Sequence, residues 1–315
     1  MRRFPRYLTT LVVAMVVVGA GTIVTGLTSR GQATTSSLRG ASGFLLSMGG
    51  SGSRGMQPVG TSDGIEMYTR DQYSSIIGQI ERRRGFPLLV RRLGCPGATL
   101  GALLGTSTPL RSDTCYQPPR TQLTTAEDFL RVHHSDPGVV TMEFGMNLLR
   151  PCFIQPVTNQ RCAEAALADV TTNLPRLITH LQRAAGPRTS LIGLNFPDPF
   201  IVYPKYARSE VVHASDSLKF VKLLNQELDR IYSQHHVAVA DVAQGFQIDT
   251  TSPSPNPALR GVPVNVANAC LLTWICLRVG SLGSDHLNRA GQIVVADSVM
   301  AVMPDPWRLN EMLVP

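Results

Sequence analysis

Four short stretches of the sequence carry the residue types that acyl transfer needs. Ser51 stands in a glycine-flanked turn that would leave its hydroxyl exposed, and His286 supplies an imidazole near the C-terminus. Gly97 can present its backbone N–H without a side chain in the way, and Asn147 offers a side-chain amide. A nucleophilic hydroxyl, a base and N–H donors for a developing oxyanion are the components of acyl-transfer catalysis. Each stretch alone is more often a simple turn or cap, so their order and placement carry the hypothesis.

The elements between these stretches predict an α/β fold. Short apolar runs alternate with segments whose apolar residues recur at helical spacing. The predicted strands are 43–48, 87–93, 139–144, 190–196 and 237–242, and the predicted helices are 70–84, 126–134, 162–181, 215–232 and 291–303. We interpret Thr124 and Glu127 as a capping box for the second of these helices. Such alternation is typical of a mostly parallel sheet with helices on both faces, whose ligands bind beyond the carboxyl ends of the strands.

The N-terminal segment indicates export. Arg2, Arg3 and Arg6 precede an uncharged, mainly apolar stretch that ends at Ser29. A basic head followed by an apolar run is typical of a signal peptide, and a run of about 20 apolar residues is also long enough to span a bilayer. A cleaved signal peptide and an uncleaved membrane anchor both remain open. In either case the basic head predicts that everything after Arg30 lies outside the cytoplasm.

The rest of the 315-residue chain is expected to form one domain. Its composition, 43% hydrophobic and 16% charged, is typical of a globular protein and excludes a disordered polyelectrolyte. No internal repeat or Pro/Gly-rich boundary divides it. The predicted organisation is a signal peptide or anchor at 1–29, a flexible linker at 30–42, the α/β domain at 43–303 and a C-terminal tail at 304–315.

Six cysteines agree with an oxidising, extracytoplasmic location. They are Cys95, Cys115, Cys152, Cys162, Cys270 and Cys276. An even number of cysteines outside the cell is typical of disulfides, although the sequence alone leaves their pairing open. No Cys-x-x-Cys or Cys/His array has zinc-like spacing, so no structural metal is expected.

The formal net charge of +7 arises partly from the N-terminal arginines and partly from a second basic group. That group consists of Arg82, Arg83, Arg84, Arg91 and Arg92. We interpret it as a solvated helix end and strand flank, where arginines near a helix C-terminus are favoured by its dipole. No nucleic-acid partner is therefore expected.

Several of these stretches resemble the sequence blocks of the SGNH, or GDSL-like, hydrolases. The similar stretches are Ser-Met-Gly-Gly-Ser at 47–51 with Gly55 and Pro58 (first block), Leu-Gly-Cys-Pro-Gly-Ala-Thr at 93–99 (second), Gly-Met-Asn at 145–147 (third) and His-Leu-Asn-Arg-Ala-Gly at 286–291 (last). Residues 195–200 and 272–276 are similar to stretches of secreted bacterial members. The resemblance covers about residues 43–300.

The resemblance implies a flavodoxin-like three-layer α/β/α sandwich with a mostly parallel central sheet. It implies that Ser51 is the nucleophile, that His286 is the general base and that no cofactor is needed. The backbone N–H groups of Ser51 and Gly97, with the side chain of Asn147, would form the oxyanion hole. It also implies sequential disulfides, namely Cys95–Cys115, Cys152–Cys162 and Cys270–Cys276.

The sequence departs from the family pattern at two acidic positions. Gly50 stands where the first block has Asp, and Gly283 stands three residues before His286, where the last block has an acid. Asp285 is adjacent to the histidine, and neighbours on an extended segment point to opposite faces. The imidazole would therefore be oriented either by Asp285, although it points to the opposite face, or by a backbone carbonyl, which would give a Ser–His dyad.

These observations favour a secreted or membrane-anchored carboxylic-ester hydrolase of the esterase or lipase type. Its substrate would be a lipid, a short-chain ester or an acylated glycan. The protein is expected to be a monomer that meets the membrane only through an uncleaved N-terminal segment. One alternative is a catalytically inactive protein of the same fold that binds an acyl or glycan ligand. Another is a basic surface adhesin that uses the second arginine group to bind anionic polymers.

Overall fold

A computed structural model describes residues 40–58, 66–106, 115–117, 119–153, 159–202, 214–276 and 284–304. All of these residues belong to one structural unit, which spans residues 37–315. The predicted signal peptide or anchor, most of the linker and most of the C-terminal tail lie outside the described residues. Within the described ranges, none of the helices combines the length and the apolar character that crossing a membrane requires.

Five parallel strands form the central sheet, and two further strands form a small antiparallel hairpin. In chain order the strands are β1 Gly43–Gly49, β2 Met56–Pro58, β3 Glu66–Tyr68, β4 Leu88–Arg92, β5 Gly138–Glu143, β6 Thr189–Leu194 and β7 Ala238–Ala240. The sheet order is β4-β1-β5-β6-β7, and every pairing within it is parallel. The predicted mostly parallel sheet is confirmed, because the five predicted strands are its five members. The hairpin of β2 and β3 was not predicted.

Helices cover both faces of the sheet. They are α1 Tyr73–Arg83, α2 Leu100–Leu103, α3 Gln122–Val132, α4 Met146–Leu149, α5 Gln160–Ala184, α6 Ala214–Gln234, α7 Val242–Gly245, α8 Val264–Leu272 and α9 Arg289–Val302. Side chains of β1 alternate between the two faces, as strand geometry requires. Phe44 and Leu46 enter the core beneath α3, α5 and α6, whereas Leu45 enters the core beneath α1 and α9. The predicted three-layer α/β/α architecture is confirmed.

The start of α3 differs from the prediction. Thr121 is the N-cap, because its hydroxyl accepts the N–H of Thr124 at 3.1 Å, and the Thr124 hydroxyl accepts the N–H of Thr121 at 2.9 Å. The predicted capping box of Thr124 and Glu127 is therefore wrong by one helical turn. Threonine at the third helical position reaches back to the cap as a glutamate would. Glu127 instead contacts His180 and Arg131.

Candidate active site

A cavity of about 460 Å³ opens beyond the carboxyl ends of β1, β5 and β6. Its lining includes every residue that the sequence predicted for the site, together with several that it did not. The predicted residues that line it are Ser51, Gly97, Asn147, Asp285 and His286. The parallel sheet thus brings together residues from four separate stretches of the chain, at the edge where such sheets bind ligands.

Ser51 lies two residues after the end of β1. It is the N-cap of a short 3₁₀ helix, Gly52–Arg54, with φ −66° and ψ −34°, and its side chain makes no capping hydrogen bond. The Ser51 hydroxyl is therefore not used to cap the helix that it begins, and the residue is partly exposed to the cavity.

Three buried glutamine side chains hold the backbone of this turn. They are Gln72 at the start of α1, Gln122 in α3 and Gln292 in α9. Gln122 accepts the N–H of Gly49 at 2.8 Å and donates to the carbonyl of the same residue at 3.0 Å. Gln72 and Gln292 donate to two carbonyl groups further along the turn, at 2.6 and 3.3 Å. Buried backbone groups need such partners, so these amides fix the position of the serine.

His286 is oriented by Glu66, a residue that the sequence analysis missed. Oε1 of Glu66 lies 2.6 Å from Nδ1 of His286, and the hydroxyl of Ser284 donates to the same oxygen at 2.6 Å. Both side chains are largely buried, with 15% of His286 and 23% of Glu66 exposed. Because a carboxylate accepts the Nδ1 proton, the neutral imidazole keeps its lone pair on Nε2. The pair therefore has the form of the acid–base half of a catalytic triad.

The protonation of this pair follows from its surroundings. Burial alone would lower the pKa of His286, but the hydrogen bond to Glu66 and the negative charges of Asp285 and Glu66 outweigh it and raise the pKa above 6.5. Burial alone would raise the pKa of Glu66, but the hydrogen bond to His286, the charge of that imidazole and the Ser284 hydroxyl leave it lowered below 4.5. Each partner thus stabilises the charged form of the other.

Asp285 is not the partner of the imidazole. Its Oδ2 accepts a hydrogen bond from Nε of Arg150 at 2.7 Å. The physical reason is the one anticipated for neighbours on an extended segment, which point in opposite directions. A backbone carbonyl does not orient the imidazole either, because Nδ1 of His286 contacts the Glu66 carboxylate. No sequence signal marks Glu66, since β3 is too short for a periodic pattern.

The predicted N–H donors lie around the serine. Gly97 has φ +73°, a left-handed conformation that favours glycine, and it turns the backbone of the second block toward the cavity. The Asn147 amide donates to the carbonyl of Ala98 at 3.0 Å, which leaves its second hydrogen for a ligand. A Cβ on Gly50 would lie only 2.7 Å from Nδ2 of Asn147. The glycine at position 50 therefore makes room for this amide.

Glu143 is a second carboxyl group that the sequence analysis missed. It ends β5 and lines the cavity, and a Cβ on Gly52 would collide with its Oε1. Its Oε2 is buried and has no hydrogen-bond partner among the described residues. Burial raises the pKa of Glu143 to about 7, although hydrogen bonds from Ser53 and the charge of His286 oppose the rise. The group is therefore easily held in its neutral form beneath the nucleophile turn.

Three disulfides are attached to parts of the chain that form or contact the cavity wall. The structure contains the three sequential pairs that the resemblance implies: Cys95–Cys115, Cys152–Cys162 and Cys270–Cys276. The last pair closes a loop in which the N–H of Trp274 donates to the carbonyl of His286 at 3.0 Å. This disulfide therefore supports the backbone beside the histidine. Within the described part of the chain, no three His, Cys, Asp or Glu side chains cluster in a way that could hold a metal ion.

No protein-family model matches the sequence, and neither does any curated protein. Solved structures do match. An extracellular lipase from Streptomyces rimosus is 15% identical over 83% of this chain and 100% of its own, with a TM-score of 0.50. A phospholipase A1 from Streptomyces albidoflavus is 17% identical over 84% and 100%, with a TM-score of 0.47. A lipolytic G-D-S-L family protein from Veillonella parvula is 12% identical over 82% and 97%, also with a TM-score of 0.47. At these identities the likeness is one of fold.

Proposed function

We propose that this chain, which has the SGNH hydrolase fold, is an extracytoplasmic carboxylic-ester hydrolase of the esterase or lipase type. The observation that carries the proposal is the 2.6 Å contact between Glu66 and His286 in the cavity that Ser51 also lines. A site that only binds a ligand has no need of an imidazole whose tautomer and charge are set by a buried carboxylate. The disulfides and the predicted export segment support a location outside the cytoplasm.

The proposed reaction begins when the Ser51 hydroxyl attacks the acyl carbon while Nε2 of His286 takes its proton. The carbonyl oxygen becomes an oxyanion, which accepts hydrogen bonds from the N–H groups of Ser51 and Gly97 and from the Asn147 amide. His286 then protonates the departing alcohol, and an acyl-enzyme remains. A water molecule, deprotonated by the same imidazole, releases the acid and restores Ser51. Each oxyanion donor is worth about 100- to 1,000-fold in rate.

Glu66 serves this cycle by stabilising the imidazolium that forms twice in it. The carboxylate stays ionised because its pKa is lowered, so it provides a fixed negative charge at Nδ1. A carboxylate in this position also excludes the tautomer with its proton on Nε2, which could not accept the serine proton. Glu66 is therefore a positioning residue that acts through His286.

The cavity suits the acyl part of an ester. Its walls include Met56, Met146 and Phe196, which are apolar, and its volume is in the range of sites for small organic ligands. The polar groups converge near Ser51, where the ester carbonyl would lie. A lipid, a short-chain ester and an acylated glycan all present such a group, and these remain the proposed substrate classes.

The proposal is tested by ester hydrolysis and by labelling. Purified protein is assayed with p-nitrophenyl butyrate and p-nitrophenyl octanoate and, separately, treated with a fluorophosphonate whose site is mapped by peptide mass spectrometry. We expect labelling at Ser51 and a loss of at least about 10,000-fold in kcat for Ser51→Ala and for His286→Ala. Ser233→Ala, at an exposed position on α6, is the matched control and keeps full activity.

The rival hypothesis, an inactive acyl- or glycan-binding protein, makes the opposite prediction. A parent protein that binds butyrate or octanoate but neither turns over these esters nor reacts with the fluorophosphonate would replace the hydrolase proposal. Activity that survives in Ser51→Ala would locate the chemistry elsewhere.

A further inference from the structure

We propose that the outer edge of the β2–β3 hairpin is a docking surface for anionic lipid bilayers. This hairpin surface consists of Met67, Tyr68, Arg54, Arg70 and Arg92. It combines exposed apolar side chains with a cluster of guanidinium groups, which is the composition that binds the interface of a charged membrane. The inference does not rest on the proposed hydrolase activity, because it concerns binding alone.

The apolar part of the hairpin surface is formed by two consecutive residues of β3, whose side chains lie on opposite faces of the strand and flank its outer edge. Met67 is 55% exposed and Tyr68 is 51% exposed. Exposed methionine and tyrosine side chains gain by entering the boundary between lipid headgroups and acyl chains, where tyrosine keeps its hydroxyl in water. Glu66 precedes them on the same strand and contacts His286.

The basic part lies directly beside these side chains. The guanidinium of Arg54 lies over the ring of Tyr68, 4.9 Å from its centroid, and donates to the carbonyl of Arg92 at 2.8 Å. Arg92 in turn donates to the carbonyl of Thr69 at 3.1 Å. These contacts tie Arg54 and Arg92 to the end of β3, and Arg70 follows it in the chain by two residues.

The three arginines of the hairpin surface form no ion pair with a carboxylate in the described part of the chain. No carboxylate of the described part lies within ion-pair distance of Arg54, Arg70 or Arg92. Burial lowers the pKa of the Arg92 guanidinium, and the like charges of Arg54 and Arg70 lower it further. An external anion would relieve this repulsion.

A bilayer fits this surface better than a soluble polyanion does. A polyanion would use the arginines only, whereas a membrane also buries Met67 and Tyr68. Near an anionic leaflet each arginine strengthens binding by about fivefold. Docking by this surface would also hold the strand that carries Glu66, and with it one wall of the cavity, next to the lipid.

The test is co-sedimentation of the full chain with vesicles of diether phosphatidylglycerol and, in parallel, of diether phosphatidylcholine. Ether lipids have no carboxylic ester, so binding is measured without hydrolysis. Two double variants that remove equal charge are compared: Arg54→Gln with Arg70→Gln, and Arg82→Gln with Arg83→Gln as the matched control at the end of α1. A third variant carries Met67→Ser and Tyr68→Ser. All of them share residues 1–39, so differences between them report the substituted surface.

We expect the parent to bind phosphatidylglycerol more tightly than phosphatidylcholine, and less tightly in about 1 M than in about 0.1 M salt. The Arg54/Arg70 variant should lose about 25-fold in its phosphatidylglycerol partition coefficient, while the Arg82/Arg83 control loses little. The Met67/Tyr68 variant should also bind more weakly. Folding of each variant is checked by circular dichroism and by its thermal midpoint.

Three results would overturn the proposal. Equal losses in the two arginine variants would mean that only the net charge matters. An unchanged Met67/Tyr68 variant, with polyphosphate competing fully for the parent, would mean that the surface binds soluble polyanions instead. Equal binding of the parent to both lipids would mean that the arginines make no contact with the headgroups.

Discussion

The nucleophile turn and the histidine side of the cavity are held in place by opposite kinds of interaction. The turn that bears Ser51 follows a central, fully buried strand, and neutral glutamine amides bind its backbone. His286, in contrast, lies on a loop and is held by ionised groups, with Glu66 on a hairpin at the edge of the structure. The backbone of the nucleophile turn is thus bound by side chains that do not titrate, whereas the part that must exchange protons is governed by charge.

This difference explains how one site can be both rigid and responsive. A hydrogen bond between a neutral side-chain amide and a buried backbone group contributes about 1 kcal/mol to stability, and the amide does not titrate. A carboxylate–imidazole pair strengthens when the ring becomes charged, which is the moment at which catalysis needs it. Substitutions on the two sides should therefore have different signatures, one in stability and the other in rate and pH dependence.

Among substitutions of the residues that support Ser51 and His286, the largest effect is expected for Glu66→Gln. The amide keeps the shape of the side chain but removes the charge that stabilises the imidazolium, and it can bind the wrong tautomer. We expect kcat to fall by about 10³- to 10⁴-fold with little change in KM. Ester hydrolysis under saturating substrate measures this. Asp285→Asn is the matched control, and since Asp285 contacts Arg150, it should cost far less.

The pH dependence of kcat in Glu66→Gln tests the same role of Glu66 independently. In the parent the raised pKa of His286 keeps the imidazole protonated, and thus inactive as a base, up to a pH above 6.5. Removing the Glu66 charge lowers that pKa, so the acidic limb of the kcat profile should move to lower pH while its plateau falls. If the acidic limb of the profile stays at the same pH in the variant, Glu66 does not act through His286 and has only a structural role.

A smaller effect, on stability, is expected for Gln122→Met. Methionine fills a similar volume but leaves the N–H and the carbonyl of Gly49 without partners. Two unsatisfied buried groups should lower the free energy of unfolding by about 2–4 kcal/mol. Urea denaturation measures the loss. Gln182→Met, at an exposed position on α5, should change stability by no more than about 0.5 kcal/mol, and an equal loss in both would contradict the role given to Gln122.

The smallest effect is expected for Glu143→Gln. Because the folded-state pKa of Glu143 is raised from 4.5 to about 7, the parent loses stability as pH rises through that range. Glutamine cannot ionise, so the variant should lose less of its thermal midpoint between about pH 5 and about pH 8 than the parent does. Asp198, whose pKa is also raised to about 7 by burial, leaves a residual slope in both proteins. Identical slopes would mean that Glu143 is not desolvated.

The sequence predicted the sheet and the serine–histidine stretches because both leave local patterns. Apolar runs gave the five sheet strands, and short motifs pointed to Ser51 and His286. Glu66 left no pattern, since β2 and β3 have three residues each and the contact with His286 joins positions 220 apart. The glutamines were missed for a similar reason, because local spacing does not show which distant backbone group a buried amide will bind. What was missed depends on tertiary contact rather than on local periodicity.

The contact between Glu66 and His286 has a consequence for how the protein matures. Nearby, the N–H of Tyr73 donates to the side chain of Gln292, 219 positions further along the chain. The site therefore depends on contacts between early and late parts of the chain. A contact of such large sequence separation forms only after the entropy of closing a long loop has been lost. Gln292 in α9 also binds the turn that bears Ser51, so both sides of the site are completed by the last part of the chain. Hydrolytic competence would therefore arise only once α9 has packed, so that activity itself reports a completed fold.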